Sequence, residues 1–349
     1  MVTPPVVAQR AIQRRNTARG YHFLVLDVLA VLVLAGCGGE AAPAKEAPMF
    51  SNPVFAENFP DPGVIRHENT WYAYGTNNAA ANVPVLSSPD LVHWTGAGDA
   101  MPEVGTWATK GNTWAPEVIA GDGGWLLYYT ARSTATDRQC IGVAFSAEPE
   151  GPFVDESDRP LICQADEGGS IDASPFTAAD GKRYLYWKND GNAIRQPTYL
   201  YGAELRADGR ALAGEPKQLL VNDAAWEDHV IEAPQLVERE GTFFLFYSAN
   251  AFDRDVYAMG YATCDSPLGP CRKAAENPIL KTSPAAAGPG HSFLVTTPAG
   301  ESWLLYHAWP PDAIGSVSPG RQLWLDKVDW VDGKPVVKGP TADPQPLPR

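Results

Sequence analysis

The sequence is poor in basic residues. Among its 349 residues, 27 are lysine or arginine and 41 are aspartate or glutamate, which gives a formal net charge of −14 at pH 7. A nucleic-acid partner would require basic patches that displace counterions from phosphate, so this balance argues against that class. A neutral ligand fits the composition better, and we expect a monomer.

Long apolar runs are also scarce. The longest, Phe23 to Gly36, contains Asp27, follows several arginines and is shorter than the roughly 20 apolar residues that span a bilayer. It ends in Leu34-Ala35-Gly36-Cys37, which resembles the lipobox of bacterial lipoproteins, where the signal is cleaved before a cysteine that becomes lipid-modified. We therefore predict that residues 1–37 are an export signal and that Cys37 carries the lipid. A plain transmembrane anchor is the alternative.

Residues 38–52 are small, contain proline and have no periodicity, which predicts a flexible tether. The folded domain is then residues 53–349. On this interpretation the protein is exported and either lipid-anchored to the bacterial envelope or secreted, and it contacts the membrane only through the lipid.

Cysteine is rare too. Besides Cys37 the chain has four, and an exported domain permits disulfides between them in three possible pairings. The pairing that is most local in sequence joins Cys264 to Cys271 across a turn-rich loop and leaves Cys140 with Cys163. Free buried thiols are the alternative.

Aromatic residues, glycine and proline are plentiful. Aromatics make up 10% of the chain, and glycine and proline number 32 each, a mixture that favours short strands joined by many turns. Long helices are not expected.

One aromatic-rich strand type occurs five times, and each copy follows a short hairpin turn. The first residues of the copies are 54, 59, 59 and 60 residues apart: Trp71, Trp125, Tyr184, Phe243 and Trp303. A regular step of this size corresponds to a four-stranded blade with long loops. Five such units in a ring predict an all-β fold, a five-bladed β-propeller with four-stranded antiparallel blades. A β-sandwich is the alternative.

Polar and aromatic residues stand at the start of the first strand of each unit. They are separated by 53, 58, 60 and 59 residues: Asp61, Trp114, Asp172, Glu232 and His291. In a propeller the innermost strands surround the axis, so these side chains should face one another across a funnel. Their spacing predicts a single pocket lined by three carboxylates.

Five short motifs at these positions resemble glycoside hydrolase family 43. They are Asn58-Phe59-Pro60-Asp61-Pro62, Trp114-Ala115-Pro116-Glu117, Ser170-Ile171-Asp172-Ala173-Ser174-Pro175-Phe176, Glu232-Ala233-Pro234-Gln235 and Gly288-Pro289-Gly290-His291-Ser292. The resemblance extends from about Asn52 to the final strands. It implies a five-bladed propeller that hydrolyses a glycosidic bond with inversion at the anomeric carbon.

The resemblance also implies a role for each carboxylate. Asp61 matches the general base, which takes a proton from the attacking water, and Glu232 matches the general acid, which protonates the leaving oxygen. Asp172 matches a third carboxylate that orients the acid and raises its pKa, because a neighbouring negative charge disfavours ionisation. No cofactor is needed for this chemistry.

Further site residues follow from the same resemblance. His291 matches a histidine that contacts a hydrated calcium or other cation at the propeller axis in many members. Phe59 and Trp114 could stack on a sugar face, with core packing as the alternative. Arg321 matches a position that reaches substrate hydroxyls, with a rim salt bridge as the alternative.

The resemblance implies plant cell-wall glycans as substrates. The Gly288-Pro289-Gly290-His291 pattern and the strand from Tyr306 to Trp309 look closer to members that act on α-L-arabinofuranosidic linkages in 1,5-arabinan. A β-D-xylosidase of the same family is the alternative, as is an inactive glycan-binding propeller. The retaining fructan hydrolases rank lower, since their Arg-Asp-Pro and Glu-Cys motifs are absent.

Overall fold

The computed structural model describes residues 48–349. Nearly all regular structure in this range is β, and the helical elements there are single 3₁₀ turns at Ala165–Glu167, Gly191–Ile194 and Ala225–Glu227. Within this range no helix is long and apolar enough to cross a membrane. The predicted all-β class is confirmed. The predicted signal, with Cys37, lies outside the described residues.

Five antiparallel sheets follow one another along the chain, each built from consecutive strands. After β1 (Met49–Phe50), blade 1 contains β2 (Gly63–His67), β3 (Thr70–Tyr74), β4 (Pro84–Ser88) and β5 (Thr95–Asp99). Blade 2 contains β6 (Ala108–Gly121), β7 (Gly124–Ser133) and β8 (Gln139–Ser146). Blade 3 contains β9 (Ser170–Thr177), β10 (Arg183–Asn189), β11 (Tyr199–Leu205) and β12 (Lys217–Val221).

The remaining strands form the last two blades and a terminal pair. Blade 4 contains β13 (Ile231–Arg239), β14 (Thr242–Ala249), β15 (Ala258–Cys264) and β16 (Cys271–Lys273). Blade 5 contains β17 (Ala287–Thr296), β18 (Ser302–Trp309), β19 (Gln322–Val331) and β20 (Lys334–Val337), and the short β21 (Gln345–Pro346) follows. The five-bladed propeller is therefore confirmed, and the five aromatic-rich repeats are the second strands β3, β7, β10, β14 and β18.

Blade 2 departs from the predicted four strands and has three. Where a fourth strand would lie, only single bridges form, between Phe145 and Val154 and between Ile141 and Ile162. Prolines stand at positions 149, 152 and 160 of this segment. Because proline has no amide hydrogen to donate to a ladder, they account for the interrupted pairing.

Hydrophobic cores fill the space between neighbouring blades. There are five in the described range, and each combines side chains from two adjacent blades, including one that joins blade 5 to blade 1. The second strands are buried on both faces, which explains why they read as continuous apolar and aromatic runs rather than as alternating patterns.

The first described residues, 49–55, close the ring against blade 5. Strand β1 pairs with β21, and Phe55 forms a bridge to Leu323. The buried Asn52 donates from Nδ2 to the carbonyl of Leu325, 2.9 Å away. The predicted tether, residues 38–52, is therefore wrong at its C-terminal end, because Phe50 and Asn52 are held in the folded domain by apolar packing and hydrogen bonds.

Both disulfides follow the pairing that is local in sequence. Cys264 is bonded to Cys271 and Cys140 to Cys163. The first joins β15 to β16 within blade 4, and the second ties β8 to the irregular segment that follows it.

Candidate active site

A residue with a left-handed backbone lies in the innermost strand of blades 2 to 5 and two residues before that of blade 1. These residues are Asp61 (φ 57°), Ala115 (43°), Asp172 (57°), Ala233 (54°) and His291 (45°). Such values are uncommon for residues other than glycine and cost about 1–2 kcal/mol each. In blades 2 to 5 they coincide with breaks in the strand register, and bulges of this kind re-aim neighbouring side chains.

This backbone feature refines the predicted alignment. Asp61, Asp172 and His291 are equivalent positions, as predicted, but their equivalents in blades 2 and 4 are Ala115 and Ala233. Trp114 and Glu232 therefore stand one residue before the left-handed position. The bulge still turns both of them toward the same cavity as the other three.

A second pattern ties the blades together around the axis. In four of the five blades, a side chain near the end of the second strand accepts the amide hydrogen of the left-handed residue in the next blade. The donor and acceptor pairs are Ala115 with Thr76 Oγ1 (2.9 Å), Asp172 with Thr130 Oγ1 (3.3 Å), His291 with Ser248 Oγ (2.8 Å) and Asp61 with His307 Nδ1 (3.2 Å). The equivalent position in blade 3 is Lys188.

A cavity of about 440 Å³ opens at this end of the axis. Its lining brings together six of the residues predicted for the site, which are Asp61, Trp114, Asp172, Glu232, His291 and Arg321. They come from five different blades and are far apart in sequence. The fold therefore brings the starts of the innermost strands to one pocket, as their spacing predicts.

Asp61 is surrounded by hydrogen-bond donors and cationic groups. Arg321 Nη1 lies 2.8 Å from its Oδ1, and the Thr76 hydroxyl donates to its Oδ2 at 2.5 Å. Nδ1 of His291 is 3.4 Å and Nδ1 of His307 is 3.1 Å from Oδ1. Burial alone would raise the pKa of Asp61, but Arg321 and the two histidines hold it well below its ordinary value. Asp61 is thus ionised at neutral pH.

Glu232 lies between a cation and a phenol. Lys188 Nζ is 3.0 Å from its Oε2, and the Tyr257 hydroxyl donates to its Oε1 at 2.7 Å. Burial opposes ionisation, yet Lys188 and Tyr257 outweigh it and lower the pKa of Glu232. Both carboxylate oxygens are engaged by donors.

Asp172 has the opposite tendency. Its Oδ2 accepts the amide hydrogen of Ala233 at 3.0 Å. Burial, reinforced by the charge of Glu232, raises its pKa to about 6 against the opposing effects of His291 and Lys188. The family resemblance implies a raised pKa for Glu232, but Lys188 and Tyr257 lower that pKa, and the raised value belongs to Asp172. The proton that this pair of carboxyls retains to higher pH is therefore on Asp172, and Glu232 is the more acidic of the two.

Comparison with known proteins identifies the family. Residues 50–335 match Glycosyl hydrolases family 43. The chain belongs to this family. It is therefore a glycosidase, an enzyme that hydrolyses O-glycosyl bonds.

Three relatives of this family-43 chain illustrate its range. An extracellular exo-alpha-(1->5)-L-arabinofuranosidase from Streptomyces avermitilis is 29% identical over 95% of this chain and 71% of its own length. A beta-D-galactofuranosidase from Aspergillus niger is 26% identical over 73% of this chain and 75% of its own length. The crystal structure of a thermostable family-43 glycoside hydrolase superposes with a TM-score of 0.78 and 32% identity, covering 86% of this chain and 99% of that one.

The prediction that Phe59 stacks on a sugar is wrong. Its side chain is 1% exposed and packs edge-on against Phe55 in the core between blades 5 and 1. Trp114, in contrast, is half-buried and lines the cavity of this family-43 enzyme, so it remains a candidate platform. Arg321 also lines the cavity, paired with Asp61 and lying over the ring of Phe252 at 4.8 Å.

Sequence reasoning missed several residues of the family-43 site. The cavity is also lined by Thr76, Lys188, Asp190, Asn192 and Phe252, and Tyr257 and His307 contact its carboxylates. A signal for some of them exists, because Thr76, Thr130, Lys188, Ser248 and His307 recur at the repeat step. Applying the period to the ends of the second strands, as well as to the starts of the first, would have found Lys188 and His307.

The metal predicted at His291 has few ligands available. Within residues 48–349 no group of three or more His, Cys, Asp or Glu side chains is arranged to hold an ion. Nδ1 of His307 accepts the amide hydrogen of Asp61, so its buried Nε2, which has no hydrogen-bond partner, carries the ring hydrogen and can donate to water but cannot ligate a cation. Asp61 is already engaged by Arg321 and Thr76. A cation here would therefore be coordinated mainly by water, with an imidazole as one ligand.

Proposed function

We propose that this enzyme hydrolyses α-L-arabinofuranosidic linkages of arabinan-type glycans with inversion at the anomeric carbon. The proposal rests on one observation: the same cavity contains one carboxyl whose pKa is lowered and another whose pKa is raised. Asp61 is held ionised by Arg321 and the histidines, while Asp172 and Glu232 together retain a proton to higher pH. Two carboxyl sites with pKa values pushed apart are what acid and base assignment requires.

In this mechanism Asp61 takes a proton from water as its oxygen attacks the anomeric carbon. Glu232 receives the proton that Asp172 holds and transfers it to the leaving oxygen as the bond between that oxygen and the anomeric carbon breaks. The Asp172 and Glu232 pair supplies this proton, and entry of a neutral sugar that displaces water strengthens the coupling between them. Both carboxyls then return to their resting state by exchange with solvent.

The choice of sugar rests on relatives. The Streptomyces relative is named for an arabinofuranoside and the Aspergillus relative for a galactofuranoside, which supports a five-membered sugar ring as the substrate. The neutral substrate also agrees with a chain of net charge −14. The alternatives are a β-D-xyloside, and a glycan-binding role without turnover.

Product analysis tests the proposal. We expect the enzyme to release arabinose or arabino-oligosaccharides from linear 1,5-arabinan, and not xylose from xylo-oligosaccharides. Proton NMR during the first turnovers should detect the anomer opposite to that of the substrate. Retention would refute the mechanism, release of xylose would favour the xylosidase, and binding without release of any sugar would favour the glycan-binding role.

We also propose that the chain is exported and anchored through lipid on Cys37. Two disulfides and a relative described as extracellular support export. Replacing Cys37→Ser should move the enzyme from the membrane fraction to the soluble fraction. Unchanged fractionation of this variant would refute lipid attachment at that residue.

A hydrated cation near His291 and His307 remains a prediction. It would supply positive charge beneath the cavity, and the imidazole of His291 is the residue that would contact it or its water shell, since the Nε2 of His307 carries a hydrogen. Isothermal titration of chelator-treated protein with Ca²⁺ tests for binding directly, and absence of any heat would refute it.

A further inference from the structure

Lys188 interrupts the hydrogen bonds that join the blades around the axis. The equivalent residues Thr76, Thr130, Ser248 and His307 accept an amide hydrogen from the next blade. An ammonium group has three donors and no acceptor, so Lys188 cannot replace them. The amide of Ala233, which would be its partner, requires another acceptor.

That acceptor is Asp172. Its Oδ2 receives the amide hydrogen of Ala233 at 3.0 Å, from the residue directly after Glu232. The carboxyl of blade 3 is thus bonded to the backbone of blade 4 beside the predicted acid. A hydroxyl at position 188 could accept the amide hydrogen of Ala233 itself, and Asp172 would then no longer be needed as the acceptor.

The ammonium of Lys188 points toward Glu232, the residue directly before Ala233. Its Nζ lies 3.0 Å from Glu232 Oε2 and 3.8 Å from Asp190 Oδ1, and the side chain is 1% exposed. Burying an unpaired charge costs free energy, so the ammonium of Lys188 and the carboxylates of Glu232 and Asp190 stabilise one another. The pair is therefore a fixed part of the cavity wall, whereas exposed ion pairs exchange with solvent.

We propose that Lys188 is a positioning residue of the glycosidase site, which orients Glu232 through their ion pair and, by having no acceptor, assigns Asp172 to the amide of Ala233. This role rests on the proposed function of Glu232 as the acid. One substitution of a blade-joining hydroxyl by lysine thus sets the geometry of two of the three carboxyls.

The charged and titratable groups that face Glu232 come from several elements. They are Lys188 and Asp190 at the end of β10, Asp172 in β9, Tyr257 before β15 and His291 in β17. Lys188 is the cation in hydrogen-bond contact with it. Removing that charge should let the Asp172 and Glu232 pair keep its proton to higher pH.

The test compares Lys188→Met and Lys188→Thr with wild type. Lys188→Met preserves length and removes the charge, and Lys188→Thr restores the hydroxyl found in the other blades. Lys182→Met, which removes an exposed lysine just ahead of the same strand, is the matched control. In each protein we would titrate the carboxyl carbons by NMR, assign Glu232 from Glu232→Gln, and record kcat and KM against pH.

We expect the Glu232 titration in both Lys188 variants to move up by about one pH unit or more, as expected when an adjacent opposite charge is lost. The alkaline limb of kcat/KM should move with it, and maximal kcat should fall roughly 10- to 100-fold, with KM little changed, because a positioned acid contributes about 10²-fold or more. Lys182→Met should match wild type in every measurement.

Two outcomes would overturn the proposal. One is a folded Lys188 variant in which neither the Glu232 titration nor the alkaline limb moves. The other is failure of both variants to fold, which would make Lys188 a purely structural residue. The NMR titration needs no substrate, so a wild type that hydrolyses nothing would refute the proposed function and still leave the effect of Lys188 on Glu232 measurable.

Discussion

Nη1 of Arg321 lies 2.8 Å from Oδ1 of Asp61, although 260 residues separate them in sequence. The contact crosses the seam where the ring closes, because Arg321 directly precedes β19 of blade 5 and Asp61 precedes β2 of blade 1. Closing the propeller therefore also assembles the predicted base with the cation that keeps it ionised. Arg321 therefore acts on Asp61, and its contact with substrate hydroxyls stays a prediction.

Removing this cation should change the acidic side of the pH profile. Burial raises the pKa of Asp61 and Arg321 is the main opposing group, so Arg321→Met should raise that pKa. The acidic limb of kcat/KM should then move to higher pH, while the alkaline limb changes less. A matched control is Arg239→Met, since Arg239 also lies over an aromatic ring, that of Trp330 at 4.7 Å, but is outside the cavity. Equal effects of the two variants would contradict the assignment.

Replacing Asp61→Asn should abolish turnover on every substrate, including activated aryl glycosides. The other carboxyl groups of the cavity are engaged elsewhere, Glu232 and Asp190 with Lys188 and Asp172 with the amide of Ala233, so none takes over the proton of the attacking water. We expect a loss in kcat of about 10²- to 10⁴-fold. The asparagine oxygen can still accept from Arg321, and its NH2 group can donate to the Thr76 oxygen, so the fold should persist. Steady-state rates with circular dichroism on the same samples measure both. A folded variant that retains a tenth of wild-type kcat would exclude Asp61 as the base.

Glu232→Gln should distinguish substrates by their leaving groups. An arabinan linkage leaves as an alkoxide that needs protonation, whereas a dinitrophenolate leaves unaided. We therefore expect a large fall in kcat on arabinan and a small one on dinitrophenyl arabinofuranoside, on the same protein preparation. The comparison is internally controlled, because misfolding would lower both rates equally. Equal losses would assign the acid elsewhere, and Asp172 would be the first candidate.

The sequence predicts some parts of this site well, for a physical reason. The repeat step locates Asp61, Asp172 and His291 because a propeller places equal positions of its blades around one axis. Periodicity also brings Glu232 and Trp114 to the cavity, although both stand one residue before the left-handed position. Each blade brings the start of its first strand to the cavity, and the regular spacing of these starts is visible in the sequence.

Other parts depend on contacts that no single strand reveals. Phe59 stands two residues before Asp61 and reads as a site residue, yet the backbone turns it into the core between blades 5 and 1. The lowered pKa of Glu232 depends on Lys188, which is 44 residues away and on another blade. The folded domain begins earlier than position 53 because Phe50 and Asn52 are held by Gln345 and Leu325, partners that are distant in sequence and that the composition of residues 38–52 does not reveal.

The pair of Asp172 and Glu232 should set the alkaline limit of activity. Burial raises the pKa of Asp172 to about 6, and loss of this proton leaves the pair without one to donate. In the free enzyme kcat/KM should therefore fall as pH rises through about 6. The acidic limb should lie at low pH, because the pKa of Asp61 is well below its ordinary value. A pH profile with a low-affinity aryl arabinofuranoside, corrected for stability at each pH, measures this. An alkaline limb above pH 8 would mean that a different group holds the proton.

Asp326 in blade 5 offers a test of ring closure that is independent of catalysis. It is buried, and its carboxylate accepts hydrogen bonds from Tyr306 in the same blade. It also accepts from Asn52 and Gln345, which connect the first and last described segments to that blade. Burial raises its pKa from 3.8 to about 6. The stability this group contributes is therefore complete below pH 3.8 and is lost as pH rises through about 6.

Asparagine at this position cannot titrate, yet it can accept from Asn52 and Gln345 through its oxygen and donate to the Tyr306 oxygen. Asp326→Asn should consequently gain thermal stability relative to wild type as pH rises from 4 to 7.5, measured as the difference between the two Tm values. Asp329→Asn, on the exposed side of the same strand, should show no such trend. A constant difference between Asp326→Asn and wild type across this range would mean that Asp326 is ionised at its ordinary pKa, and that the ring closes around a charge.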